Sequence, residues 1–109
     1  MKINFYQFKD ENITVDITAV LENGKLTFNG FDYGKKVEDS RGVSSEYEYS
    51  LSLDDVNTDK LFTKLGIADK KDEDKLGLLK EKFGKDGSLS AVKEYCDMNE
   101  IETKFFCWP

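Results

Sequence analysis

The spacing of apolar residues changes once along the chain, immediately after Leu53. Before this residue, apolar and polar side chains alternate, which is the pattern of a β-strand with one buried face. After it, apolar residues recur about every 3.5 positions, as they do on one side of an amphipathic helix. A chain that separates strands from helices in this way is typical of the α+β class.

The second and third strands are predicted to form a hairpin. Residues 13–21 alternate between apolar and polar side chains, and Asn23-Gly24 follows them. Both turn residues tolerate positive φ and favour a two-residue type I′ turn. This turn places apolar residues opposite each other on one face, in the pairs Leu21–Leu26 and Ala19–Phe28. It also aligns Glu22 with Lys25.

The remaining strands are predicted from shorter patterns. Ile3–Phe8 is rich in residues that favour strands, and Glu46–Leu53 alternates cleanly, with its tyrosines and leucines on one face. Residues 31–45 have no sustained period and are predicted to be a long surface loop. Ile101–Trp108 is predicted to be the last strand, apolar on both sides, and its aromatic residues are expected to belong mainly to the core.

Three short helices are predicted between the fourth strand and the last. The first begins at Asp54-Asp55 and ends at Gly66, the second runs from near Asp72 to Gly84, and the third runs from Ser88, as its N-cap, to near Asn99. The predicted order is β-β-β-β-α-α-α-β. Residues 1–109 are therefore expected to form one α+β domain, an antiparallel sheet of about five strands with three short helices on one face.

Charge and composition exclude several classes of function. The chain has 16 Lys and Arg, 22 Asp and Glu and no His, and its net charge is −6. This charge is opposite to that of a typical nucleic-acid-binding module, and the absence of His removes Ser-His-Asp, Cys-His and most zinc sites. We expect no catalytic residue, cofactor or metal, because carboxylate pairs arise by chance in so acidic a chain and the acidic run Asp69–Asp74 lacks the ligand spacing of a calcium loop.

Location and redox state are also predicted from the sequence. No apolar stretch is long enough for a signal peptide or a membrane span, so a cytoplasmic protein is expected. Cys96 and Cys107 are expected to be reduced core thiols. A bridge between them is the alternative, because the third helix and the last strand can be neighbours.

The outward face of the predicted sheet is the candidate binding surface. Strand parity gives it carboxylates, hydroxyls and at least one aromatic residue, namely Asp16, Glu22, Glu46, Glu48, Glu102, Thr14, Thr18, Ser50, Ser52 and either Phe106 or Trp108. Acidic residues around an aromatic anchor are suited to a basic protein partner. Acidic residues that merely keep an exposed sheet soluble are the alternative explanation.

Several stretches of the chain resemble small acidic immunity proteins of bacterial toxin systems, including those of contact-dependent growth inhibition. These stretches are Asn23–Gly30 with Asp32–Gly34, Glu46–Tyr49 with Leu61–Leu65, and Phe83–Gly84 with Cys96–Ile101 and Phe105–Trp108. The resemblance implies a non-enzymatic protein that binds and neutralises a toxin domain, often a nuclease. It transfers no functional residue, because the matching positions are turns, core residues and caps.

The leading hypothesis is an immunity protein that occludes the active site of a basic ribonuclease-type toxin with its acidic surface. The residues expected to bind the partner are Asp16, Glu46, Glu48, Asp54, Asp55 and Trp108. Two other regions compete as the contact site: the helix-side acids Asp69, Asp72, Glu73 and Asp74, and the loop Gly34–Ser45. No contact with nucleic acid or membrane is expected.

Two other classes of function remain open. The first is a mobile-element inhibitor that imitates the charge of nucleic acid and binds a host defence or DNA-binding protein. The second is a small enzyme, which requires carboxylates that converge in a pocket and have strongly shifted pKa values.

Overall fold

The computed structural model describes residues 1–34 and 46–108. In this part of the chain, five strands form one sheet in the order β1-β2-β3-β4-β5, and all neighbouring strands are antiparallel. Three helices lie between β4 and β5, which confirms the predicted α+β class and element order. The elements are β1 Lys2–Lys9, β2 Thr14–Glu22, β3 Lys25–Tyr33, β4 Glu46–Leu53, α1 Asp55–Leu65, α2 Asp72–Phe83, α3 Ser88–Met98 and β5 Lys104–Trp108.

The β2–β3 hairpin has the predicted turn and register. Asn23 and Gly24 both have positive φ, at 52° and 75°. Glu22 lies opposite Lys25, and the apolar pairs follow in step, at Leu21–Leu26 and Ala19–Phe28. Turn chemistry and side-chain alternation therefore specify the same register.

The core lies between one face of the sheet and the three helices. Phe5 and Phe28 are fully buried, and their ring centroids are 4.9 Å apart in an edge-to-face arrangement. The other buried apolar residues of the two layers include Ile17, Ala19, Leu21, Leu26, Leu51 and Leu53 from the strands and Leu61, Phe62, Leu76, Leu79, Val92 and Cys96 from the helices. The opposite face of the sheet, called the outer face below, has no helix packed on it within the described residues.

The helix ends agree with the predictions at all but one position. Asp54 caps α1, and Gly66 ends it in the left-handed conformation at φ 75°. For α3, however, the N-cap is Gly87 at φ 75°, so the prediction that Ser88 caps this helix is wrong. Ser88 is the first residue within the helix, and its side chain is buried and does not cap the end.

Two polar side chains of α1 attach it to other elements. The Thr58 hydroxyl accepts a hydrogen bond from the Leu26 backbone at 3.1 Å and donates one to the Leu53 carbonyl at 3.2 Å. The Asn57 side-chain oxygen accepts a hydrogen bond from the Glu102 backbone at 2.9 Å. Asn57 therefore fixes the segment that leads from α3 into β5.

Two strand boundaries differ from the predictions. β3 continues through Phe31, Asp32 and Tyr33, because these residues pair with both β2 and β4; the rest of the predicted loop, residues 35–45, lies outside the described residues. β5 begins at Lys104 and not at Ile101, because backbone groups of the preceding residues are already bonded elsewhere, the Ile101 amide to the Cys96 carbonyl and the Glu102 amide to Asn57.

The aromatic residues of β5 are not core residues, contrary to the prediction. All five residues of the strand are exposed. Phe105 and Cys107 point to the helix side of the sheet and Phe106 and Trp108 to the outer face, as their pairing with β4 requires. They remain exposed because β5 is at the edge of the sheet.

Candidate functional site

The outer face brings together three of the predicted binding residues. Asp16, Phe31, Glu48 and Trp108 lie opposite one another on β2, β3, β4 and β5, and so form one row across four strands. Glu46 lies in the adjacent row, opposite Tyr33. We call Asp16, Phe31, Tyr33, Glu46, Glu48, Phe106 and Trp108 the acidic–aromatic patch.

Ring contacts organise the aromatic part of this patch. The Phe106 and Trp108 rings meet edge to face, with their centroids 4.7 Å apart, and the Phe31 and Tyr33 rings are 5.2 Å apart. Between them is a depression of about 550 Å³ whose lining includes Asp16, Glu48 and Trp108. The patch therefore offers an exposed apolar surface with carboxylates beside it, a composition suited to protein contact.

The outer face is polarised, not uniformly acidic. Asp16, Glu46 and Glu48 lie towards the end of the sheet that carries Trp108, and Asn4 donates a hydrogen bond to the Asp16 carboxylate at 3.1 Å. Lys2, Lys25 and Lys104 lie nearer the other end, where Glu22 is opposite Lys25, whereas Lys9 pairs with Thr14 in the row of Tyr33 and Glu46. The patch therefore holds three carboxylates with one lysine in the row beside them, and the other lysines of this face lie at the opposite end.

The predicted residues Asp54 and Asp55 lie away from the patch. Asp54 follows the end of β4 and caps α1, accepting a hydrogen bond from the Asn57 backbone at 2.8 Å. This bond is the main reason why the pKa of Asp54 lies below its usual value. Asp55 lies beside Gly24 of the β2–β3 turn. Glu102, predicted on the outer face, precedes β5 and belongs to no strand.

The competing helix-side acids form a separate region. Asp72, Glu73 and Asp74 occupy the first turn of α2, where carboxylates offset the positive end of the helix dipole. Asp69 lies in the preceding turn, and Lys70, Lys71 and Lys75 are interspersed among these acids. Of the other competing region, Gly34–Ser45, only Gly34 belongs to the described residues.

Sequence reasoning missed a cleft on the helix side of the sheet. It has a volume of about 440 Å³ and lies between the first residues of α3 and the inward-facing side chains of β2, β3, β4 and β5. Its lining is mainly apolar and aromatic and includes Val15, Tyr47, Tyr49, Leu89 and Phe105 together with Asp32, Asp86 and Ser88. Asp32 could have indicated this cleft from the sequence. It is an acidic residue on the inward-facing side of β3, which otherwise carries Leu26, Phe28 and Gly30.

Tyr49 and Asp32 form the polar centre of this cleft. The Tyr49 hydroxyl donates a hydrogen bond to the Asp32 carboxylate at 2.7 Å. Burial and this bond raise the pKa of Tyr49 far above its usual value. Tyr49 is therefore a hydrogen-bond donor at neutral pH and does not act as a base. Within the described residues, no three His, Cys, Asp or Glu side chains are grouped to hold a metal ion.

The two cysteines are free thiols in different environments. Cys96 is buried in the core, and its burial raises the pKa of the thiol to about 11. Cys107 is exposed on β5, so the prediction that it is a core thiol is wrong. No disulfide joins them.

Within the described residues, no helix combines the length and the apolar character that crossing a membrane requires. Comparison of the chain with protein-family models, curated proteins and solved structures finds no match.

Proposed function

We propose that this protein is a cytoplasmic bacterial immunity protein that binds a basic toxin domain, most simply a ribonuclease, and occludes its active site without catalysing a reaction. The observation that carries the proposal is the row Asp16–Phe31–Glu48–Trp108, which puts two carboxylates and two aromatic rings on one face of the sheet, with Glu48 and Trp108 exposed and Asp16 and Phe31 half-buried. Aromatic anchors contribute affinity, and carboxylates beside them steer a basic partner and fix its orientation.

The charge of the whole molecule supports the same partner. At a net charge of −6, the chain attracts a basic protein over long range, which raises the association rate at low salt. A nuclease that binds a polyanion has a basic cleft, and carboxylates complement such a cleft. The patch has the matching charge and exposed aromatic area.

The polarised outer face favours this proposal over imitation of nucleic acid. A nucleic-acid mimic needs negative charges repeated along a surface, as phosphates are repeated along a strand. On the outer face of this sheet, Lys2, Lys25 and Lys104 lie at the end opposite the acidic–aromatic patch. A compact patch of acidic and aromatic residues suits contact with a single site on a protein. It does not reproduce the regularly repeated charges of a phosphate chain.

The test is binding to the product of the gene immediately upstream, together with protection of cells that express this product. Trp108→Ala is expected to weaken binding by about 2 kcal/mol, roughly thirtyfold, because it removes the aromatic anchor. The double variant Asp16→Asn/Glu48→Gln is expected to slow association and to flatten its dependence on ionic strength.

The double variant Glu22→Gln/Asp55→Asn is the matched control, since it also removes two negative charges and both lie outside the patch. It is expected to bind nearly as tightly as the unchanged protein. A loss of binding in this control comparable to that in the patch variants would move the contact away from the patch. Absence of both binding and protection would reject the immunity function.

A further inference from the structure

The two edges of the sheet are β1 and β5. An edge strand presents unpaired backbone N–H and C=O groups, and it is a template for pairing with another extended chain. Proteins usually protect such edges with bulges, charged side chains or covering elements. The two edges of this sheet differ sharply in this protection.

The β1 edge is protected in three ways. Its register with β2 is broken between Asn4 and Tyr6, so the strand is not a regular template. Lys2 and Lys9 place positive charges at its two ends. Helix α2 also covers part of it: the Lys80 ammonium donates a hydrogen bond to the Asn4 carbonyl at 2.8 Å, and Gly84, the C-cap of α2, lies close to the Phe5 carbonyl.

Within the described residues, the β5 edge has neither a bulge nor a covering helix, and it has a lysine at one end only. Its register with β4 runs without a shift from Lys104 to Trp108. Lys104, at its start, is its only charged residue, and Phe105, Phe106 and Trp108 are 49%, 58% and 46% exposed. Within the described residues, no helix donates a hydrogen bond to this strand.

The surroundings of β5 define the chemistry of a strand that would pair with it. Side chains of an added strand alternate between the two faces of the sheet. On the outer face they would lie beside Lys104, Phe106 and Trp108, and Glu48 is directly opposite Trp108. On the helix side they would lie beside Phe105, which lines the apolar cleft. Basic residues suit the outer positions beside Phe106 and Trp108, at the end of the strand that is next to Glu48 and away from Lys104. Apolar residues suit the helix side.

A second copy of this chain fits these surroundings less well. Pairing two β5 strands would bring together two molecules that each carry a net charge of −6. A basic partner gains attraction from the same charge. The charge therefore favours a different protein over self-association.

We propose that β5 adds an extended segment of the basic partner to the sheet as a sixth strand, in which lysine or arginine alternates with apolar residues. This inference rests on the proposed function for the identity of the partner and specifies how that partner is held. Backbone hydrogen bonds supply affinity in this mode of recognition, and the alternating side chains supply specificity.

The experiment is a titration of the isotope-labelled full-length protein with the synthetic peptide acetyl-Lys-Ile-Lys-Ile-Lys-Ile-Lys-amide, followed by nuclear magnetic resonance and amide hydrogen exchange. Outward-pointing amides within residues 104–108 are expected to gain about tenfold protection from exchange at saturation, because the peptide covers them. The control peptide has the same sequence with N-methyl groups at alternate residues. It keeps the side chains and the charge but loses backbone donors, so it should bind about tenfold more weakly.

Two protein variants of equal charge complete the design. Phe106→Lys places a charge at the centre of β5 and is expected to weaken peptide binding about tenfold, as charged residues do on protected edges. Thr63→Lys adds the same charge to the exposed surface of α1, away from the sheet, and should leave binding near that of the unchanged protein. Circular dichroism checks that both variants fold.

Equal binding of the two peptides would overturn the inference, because charge alone would then explain the attraction. Concentration-dependent protection of β5 without peptide would also overturn it and would identify a second copy as the occupant. The proposed function is tested separately from the edge inference. If the upstream gene product binds while the β5 amides exchange at an unchanged rate in the complex, the edge inference fails and the immunity function stands. If the peptide pairs with β5 but the upstream gene product does not bind, the immunity function fails and the pairing at the edge stands.

Discussion

Gly30 and Tyr49 lie directly opposite each other on β3 and β4. The Tyr49 ring occupies the space that a side chain at Gly30 would need. In this position the ring stacks near Phe105, with centroids 6.4 Å apart, and its hydroxyl reaches Asp32. The absence of a side chain at Gly30 therefore allows the Tyr49 ring to form part of the cleft lining.

Gly30→Ala is expected to destabilise the protein by about 1–3 kcal/mol, because the new methyl group displaces a buried and hydrogen-bonded ring. Urea denaturation measures this change. In a Tyr49→Val background, where the ring is absent, the same substitution should cost much less. An equal cost in both backgrounds would show that the ring is not the cause.

Ser88 is a buried polar residue, 1% exposed. Its side-chain oxygen has no hydrogen-bond partner among residues 1–34 and 46–108. Ser88→Ala is therefore expected to raise the free energy of unfolding by about 1 kcal/mol, since it removes a desolvated hydroxyl. Ser90→Ala, at an exposed position of the same helix, should change little, and a loss of stability in Ser88→Ala would contradict the prediction.

The two thiols are expected to react at different rates. An aromatic disulfide reagent at pH 8 should modify Cys107 rapidly in the folded protein and Cys96 only after unfolding, because Cys96 is buried and its pKa is raised to about 11. Absorbance of the released thiolate measures both phases. Cys107→Ser should remove the fast phase alone; a fast phase that persists in this variant would contradict the assignment.

At the scale of elements, the sequence predicts most of the fold because several local signals agree. The β2–β3 register follows from Asn23-Gly24 and from alternation, and the ends of α1 follow from Asp54 and Gly66. The start of β5 was misplaced because Asn57, far away in sequence, bonds the Glu102 amide. Alternation assigns a face to each residue, but it does not indicate how much of that face the helices cover.

The candidate site was predictable only in part for the same reason. Strand parity placed Asp16, Glu46 and Glu48 on one face, and the register then aligned Trp108 with Glu48. Proximity in sequence suggested that Asp54 and Asp55 would join them, but the chain leaves the sheet at Leu53 and these acids start a helix. Grouping across strands requires the register, which local patterns supply only for the hairpin.

The cap of α1 gives a prediction that depends on pH. The pKa of Asp54 is lowered in the folded protein, mainly by the Asn57 backbone hydrogen bond. Its stabilising effect is therefore complete above the pKa of the unfolded state and is lost as the pH falls through the folded value. Asp54→Ala should lower the thermal midpoint at pH 7 and should have a smaller effect near pH 2. Asp55→Ala is the control, and an effect of Asp54→Ala that does not change with pH would contradict the prediction.

At the scale of the whole molecule, the proposed function depends on an uneven surface. One edge of the sheet is bulged, flanked by lysines and partly covered, and the other is regular and aromatic. Three acids of the outer face, Asp16, Glu46 and Glu48, lie towards the end of the sheet that carries Trp108. The patch and the open edge meet at Trp108, so a partner can contact both at once.

The position of β5 after the helices in the chain has a consequence for folding. β1 to β4 pair with their neighbours in sequence, whereas β5 reaches β4 only after the whole helical layer. Contacts between residues distant in sequence form late, and an exposed edge strand opens easily. β5 is therefore expected to be the last strand to pair with the sheet during folding and the first to detach from it. A partner that binds this strand would lengthen the lifetime of the folded chain and shield residues 104–108 from proteases.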